Sequence, residues 1–325
     1  MKTIKLYLIA ISAFVSVLTS CSTDILIEPS NFDISIDTTR IYKVGDTLKF
    51  IISGGNANQI TFFSGELGSQ YSNLGRTTSL GTPKLVFQTL LNQGSPVTDS
   101  LRLMISSNLK GYDSISVVQA NWIDITARNT KWPSDVSTKF TISDSINLSD
   151  FNNVSDSINI AFRFIGKEAI SPTLQAKWQI SNLTLTNITS DGNSFPLFST
   201  FDNTGWVQVS IKNQANAWDV GNWNMSAKNS KTNSSGVTIR TAYPITLNPG
   251  SAANDDWLIT SAINFKSVKP DEGTTIKNLA NLTLTDYQYI YSKPGTYTIT
   301  FVGANLNLNE SKKVVRQITI KVLPK

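Results

Sequence analysis

Apolar residues recur at every second position through much of this chain, and that period limits what it can fold into. Leu48-Phe50-Ile52, Leu101-Leu103-Ile105, Ile158-Ile160-Phe162-Phe164, Tyr297-Ile299-Phe301 and Ile318-Ile320-Val322 each place apolar side chains on one face of an extended strand. Between these runs lie Gly, Asn, Asp, Ser and Pro, the residues that turns require. No stretch of twelve residues carries a convincing helical period. A strand with one apolar face must bury it against a second layer, so the pattern predicts an all-β chain built from sandwiches. The 325 residues suffice for one large or two ordinary domains.

Composition removes several kinds of chemistry. The chain has no histidine and a single cysteine. That excludes a histidine general base, a Ser-His-Asp or Cys-His nucleophile, and zinc or haem held by histidine. It also excludes an internal disulfide framework. Two carboxylates would suffice for glycoside hydrolysis. The five glutamates, Glu28, Glu66, Glu168, Glu272 and Glu310, all lie in turn-like or terminal contexts, and no pair suggests a shared cleft. The expectation is a protein that is not an enzyme.

Residues 1–20 read as an export signal. Lys2 and Lys5 precede an apolar run from Leu6 to Leu18, and Leu18-Thr19-Ser20-Cys21 follows. Thirteen residues of helix span about 20 Å, short of a bilayer core of about 30 Å. A signal peptide fits better than a membrane anchor. Without Lys2 and Lys5 the chain carries 26 basic against 23 acidic side chains and no basic cluster, so nucleic acid is not an expected partner.

The small residues before Cys21 resemble a bacterial lipobox. That resemblance implies acylation of Cys21, a lipidated tether over residues 21–30, and durable anchoring, since each buried CH2 contributes about 0.8 kcal/mol. The plainer alternative is a secretory signal with an accidental cysteine. Ser22-Thr23-Asp24 is a thin version of the acidic cluster that resembles a surface-export signal in Bacteroides-type bacteria. The implied location is the outer membrane, facing outward.

Two further resemblances divide the chain. Val44-Gly45-Asp46 with Ile60-Thr61-Phe62-Phe63-Ser64-Gly65-Glu66 resembles the first half of a PKD-like sandwich, and Tyr287-Gln288-Tyr289 with the run from Lys293 to Asn305 resembles its closing hairpin. Some sixty C-terminal residues alone would leave much apolar surface uncovered, so pairing them with the N-terminal segment also answers a physical need. Phe201-Asp202-Asn203-Thr204-Gly205-Trp206 and Asp255-Asp256-Trp257 resemble the opening half of a cleaved-adhesin or choice-of-anchor jelly-roll, and residues 84–188 its later half. The implied organisation is a PKD-like sandwich over residues 31–78 and 266–325, interrupted by a circularly permuted jelly-roll over 79–265. As a whole the chain resembles Bacteroides surface lipoproteins of unknown function, often encoded beside glycan-uptake systems.

Candidate ligand-binding residues come from the seven tryptophans. Trp122, Trp178 and Trp257 lie in alternating runs, where burial is the expected role. Trp218 and Trp223 fall in the amide-rich segment 213–224. There a flat aromatic face beside amides and carboxylates suits a sugar. Trp206, in the jelly-roll motif, and Trp132, before Pro133, complete the set; for Trp206 a core role is the competing reading.

Asp202, Asp255 and Asp256 either meet at a structural calcium ion, as the jelly-roll resemblance implies, or cap turns beside strands. Asp46-Thr47-Leu48, Asp99-Ser100-Leu101, Asp113-Ser114-Ile115, Asp144-Ser145-Ile146 and Asp156-Ser157-Ile158 resemble O-glycosylation acceptors of Bacteroides-type exported proteins, and serve equally as strand-entry turns. The resemblances imply a glycan-binding accessory protein, with a polysaccharide or oligosaccharide and a neighbouring transporter complex as partners. The alternative is an adhesin or assembly protein that binds another protein.

Overall fold

The computed structural model describes residues 27–325, except 29, 56, 94–100, 169–175, 215–217, 221–235, 240–251 and 308–309. The chain divides into two compact units. The smaller unites the chain up to Leu74 with Asp271–Lys325, and the larger is Gly75–Pro270.

The smaller unit contains β1 (Asp33–Ser35), β2 (Tyr42–Lys43), β3 (Thr47–Ser53) and β4 (Gln59–Phe63) from the first segment. The larger unit contributes β5 (Gly81–Gln93), β6 (Leu101–Ser106), α1 (Ser114–Gln119), β7 (Trp122–Asp124), β8 (Thr141–Ile142), β9 (Ile146–Asn147) and β10 (Asn159–Gly166). It continues with β11 (Lys177–Thr189), β12 (Ser194–Phe198), β13 (Val207–Lys212), β14 (Trp218–Val220), β15 (Gly236–Ile239) and β16 (Asn254–Ile259). The last segment returns as β17 (Thr274–Lys277), β18 (Asp286–Ile290), β19 (Gly295–Leu306) and β20 (Ser311–Leu323). The chain is all-β in character, with α1 the one α-helix among the described residues.

Pairing explains why the two ends of the sequence share a unit. β3 pairs with β18, and β4 lies between β17 and β19, so neither sheet is complete without the C-terminal segment. The sheets run β1-β3-β18 and β17-β4-β19-β20-β2. Period two then decides the core. Leu48, Phe50 and Ile52 of β3 meet Ile60 and Phe62 of β4, Ile299 and Phe301 of β19, and Ile320 and Val322 of β20. Gly303 is demanded by close packing, since a Cβ there would stand 2.2 Å from a ring carbon of the buried Phe32.

Where the chain leaves this unit and where it returns, the buried carboxylate of Asp271 fastens the two segments together. It accepts hydrogen bonds from the Gln70 N–H at 2.9 Å and the Asn73 side chain at 3.4 Å, while its own N–H donates to the Asn73 carbonyl.

In the larger unit one sheet runs β13-β16-β10-β6-β7 and the other β14-β15-β11-β5-β8, with β12 and β9 paired to β11 and β5. Ile158, Ile160, Phe162 and Phe164 are all fully buried, and their neighbours in the core include Leu85, Phe87, Ile180, Leu185 and Leu258. The other face of β10 and β16 is also covered. Ala161, Trp257 and Ile259 cluster there with Met104 and with Val117 of α1. Six residues are too few for a helix held by propensity alone. Asp113 caps α1 by accepting the Ser116 N–H at 2.9 Å, and Val117 buries its apolar side.

Candidate functional site

The structure uses the described candidate tryptophans as packing. Trp218 is 2% exposed, and its Nε1 donates to the Asp256 carbonyl at 3.3 Å, so it offers no face to a ligand. Trp206 lies 4.9 Å from Phe201, ring to ring, and donates to the Phe201 carbonyl at 2.9 Å, closing one end of the core. Trp132 is half-buried against Phe87 and Trp178, with its Nε1 on the Thr126 carbonyl at 3.0 Å. An indole fixed by an edge contact and a backbone hydrogen bond is a wedge at the core margin, whatever its surface shows. Trp223 and Cys21 lie outside the described residues.

The three aspartates do not converge. Asp202 stands exposed on the short turn Phe201–Thr204. Asp255 and Asp256 are consecutive in β16, and successive strand residues point to opposite faces. Asp255 forms a bidentate pair with Arg163, at 2.9 and 2.6 Å, and the same guanidinium lies 4.8 Å over the Trp257 ring. Asp256 turns inward and is 1% exposed. Among the described residues no group of three such ligands gathers. The three side chains of the expected trio thus lie apart: Asp256 is buried, Asp255 is paired with Arg163, and Asp202 is exposed.

Asp256 is the most perturbed carboxyl described. Burial pushes it up to about 6, against the pull of hydrogen bonds from Ser210 Oγ at 2.5 Å and Asn254 Nδ2 at 2.6 Å. Asn254 Oδ1, beside it, is buried with no hydrogen-bond partner among the described residues. A raised carboxyl can mark an active site. This one lies on the same strand face as the core residue Leu258 and is itself closed off from solvent. The sequence does carry a signal for it, since two consecutive aspartates in a strand must send one side chain inward.

Among the described triplets the hydroxyls of Thr47, Ser114, Ser145 and Ser157 are all in exposed residues, and Leu48, Ile146 and Ile158 behind them are buried. Asp113 caps α1, and Asp144 accepts the Thr130 N–H at 2.6 Å. The described triplets therefore present a hydroxyl to solvent, with Asp113 and Asp144 held in local hydrogen bonds.

A cleft that sequence reasoning missed lies in the smaller unit. After β4 the chain turns at Gly65, whose φ is +80° and whose Cβ, if present, would stand 2.8 Å from the Thr298 carbonyl. Only glycine allows the backbone so close to β19 in that conformation. The following segment lies over the outer face of the sheet, with Tyr71 edge-on to Phe63 at 5.3 Å. Tyr71, Ser72 and Gln70 form one wall, and Thr296, Thr298 and Gln317 line the β19–β20 side, around about 270 Å3. The Asp271 clasp holds that wall in place. A second cleft of about 460 Å3 shares Gly65, Gln70 and Thr296 and adds Glu66 and Lys293. The sequence signal was present in Thr296-Tyr297-Thr298-Ile299-Thr300, where period two sets three threonines opposite the buried Tyr297 and Ile299.

No helix among the described residues is long and apolar enough to cross a membrane. The sequence model of a family described as a domain of unknown function (DUF5017) matches residues 20–206, more than half of the chain, and the chain belongs to that family. No curated protein and no solved structure matches it.

Proposed function

We propose that this family member is a lipid-anchored, non-catalytic glycan-binding accessory protein of an outer-membrane polysaccharide uptake system. The lipobox-like Leu18-Thr19-Ser20-Cys21 supports the anchor, and the resemblance to Bacteroides surface lipoproteins supports the setting. The observation that carries ligand chemistry is the open cleft of the smaller unit, lined by hydroxyls, side-chain amides and one tyrosine ring, with no charged group in its 270 Å3 part. Hydroxyl-rich ligands need many weak donors and acceptors beside an apolar surface, and this lining supplies both. Tethering then works by concentration: each contact is weak, and many anchored copies on one polymer supply avidity.

A second reading, an adhesin or assembly protein, has its own support. Ile115 and Val118, three residues apart on α1, are each 66% exposed, an apolar pair suited to a protein partner.

The test is affinity electrophoresis of residues 22–325 in gels that each contain one polysaccharide. Retardation by at least one is the expected result. Free migration in every gel, with capture of an outer-membrane protein that Ile115→Ser and Val118→Ser abolish, would replace the glycan reading with the second one.

A further inference from the structure

Resting on the glycan-binding reading, we infer that the adjoining clefts of the smaller unit form one groove for an internal stretch of a neutral glycan, read by Ser72, Thr296, Thr298 and Gln317. The hydrogen-bond inventory separates the groups that build the groove from those left to bind. Gln70 Oε1 accepts from Asn73 at 2.8 Å, and Thr300 Oγ1, at the floor, accepts from Gln317 Nε2 at 3.0 Å. Those groups are committed to structure. The Ser72 and Thr296 hydroxyls, the Tyr71 hydroxyl and Gln317 Oε1 make no hydrogen bond to another described residue, and Thr298 has only a 3.5 Å contact to Thr319. Their satisfaction is left to water or to a ligand rich in hydroxyls.

Three features define the ligand class. The groove's first part carries no charge, and its second adds one acid and one base, Glu66 and Lys293. Glu66 is already engaged, accepting the Tyr289 hydroxyl at 2.5 Å, and burial with that hydrogen bond pushes the tyrosine up to about 12. A polyanion would find no surplus of positive charge, so a neutral chain is the fit. The two clefts share three residues and together fall within the roughly 300–1,000 Å3 of ligand sites, enough for more than one sugar unit. The Tyr71 ring, fixed by Phe63, and the threonine methyl groups supply the apolar surface that sugar C–H faces need.

The test uses residues 22–325 in gels containing amylopectin, galactomannan, xyloglucan, mixed-linkage β-glucan or polygalacturonate. It compares the unaltered chain with a Ser72→Ala/Thr296→Val/Gln317→Ala variant, and with Thr298→Trp to fill the groove. All four positions are exposed, so the fold is expected to persist, which circular dichroism checks. The expected result is retardation by a neutral polysaccharide, weakened at least tenfold in both variants. Retardation equal in the unaltered chain and both variants would overturn the groove as the site and leave glycan binding standing. Retardation by polygalacturonate alone would overturn the neutral class. Retardation by none of the five would overturn the groove and count against the function itself.

Discussion

Replacing Phe301 with alanine is expected to destabilise the smaller unit by about 3–5 kcal/mol, the range for deleting a fully buried ring. Phe301 is 0% exposed on β19, with the rings of Phe62, Phe50 and Tyr287 at 5.1, 5.3 and 6.4 Å. Those rings come from both sheets and from both ends of the sequence. They cannot collapse into the gap without bending β3 or β4 away from their C-terminal partners, so most of the cavity cost remains. Amide exchange across β3, β4 and β19 at increasing denaturant would read the loss. A loss below about 1 kcal/mol would mean that the two segments do not share one core.

The second large effect is a dependence on pH centred on Asp256. Burial raises its carboxyl to about 6 in the folded chain, whereas an unfolded aspartate titrates near 3.9. The folded state therefore holds the proton more tightly. The stability this contributes is fully present below about pH 4 and is lost as pH rises through about 6. A shift of about two units is worth roughly 3 kcal/mol at about 1.4 kcal/mol per unit.

Stability of the larger unit should accordingly increase as pH falls from 7 to 4.5. The depressed carboxyls act in the opposite sense: Asp191 is held at about 2 against its burial by hydrogen bonds from Thr189 and Asn193 and by Arg76, and Asp144 is held at about 2 by hydrogen bonds from Thr130 and Lys131. Their contribution is present above the unfolded value and is lost only as pH falls below about 4, outside that window. Asp256→Asn should flatten the rise and match or exceed the native stability at pH 7, because the neutral amide removes the buried charge while its oxygen still accepts from Asn254 Nδ2 and its nitrogen can donate to the Ser210 hydroxyl oxygen. Urea midpoints at pH 7 and 4.5 give the answer. Equal pH dependence in both chains would show that Asp256 is not the group responsible.

How much of this was legible in the sequence depended on whether local period alone decided the outcome. It did for Ile158, Ile160, Phe162 and Phe164, whose alternation forces one buried face, and all four are fully buried. It did also for Leu48, Phe50 and Ile52. It did not for α1, whose six residues are too short to show a helical period and form where Val117 meets the apolar outer face of β10 and β16.

The tryptophans were illegible for a different reason. The amide-rich segment 213–224 reads as exposed because its own aliphatics are few, yet Trp218 takes its apolar surroundings from strands distant in sequence. The aspartates were read as a set because the jelly-roll resemblance groups them, while the pleat of β16 sends Asp255 and Asp256 apart. The groove had the opposite fate. Its threonines are visible as an alternating run, but nothing local says that Gln70–Ser72 will lie over them. That placement rests on Gly65 and on the clasp of Asp271, about two hundred residues away in sequence.

The most direct test of a tether that holds glycan without cutting it is calorimetric titration of residues 22–325 with the polysaccharide that retards it most, followed by chromatography of that polysaccharide. The expected result is a saturable heat of binding with the polymer's length distribution unchanged after prolonged incubation. Shortened chains would contradict the non-catalytic account, and the absence of any heat across the panel would contradict the binding itself.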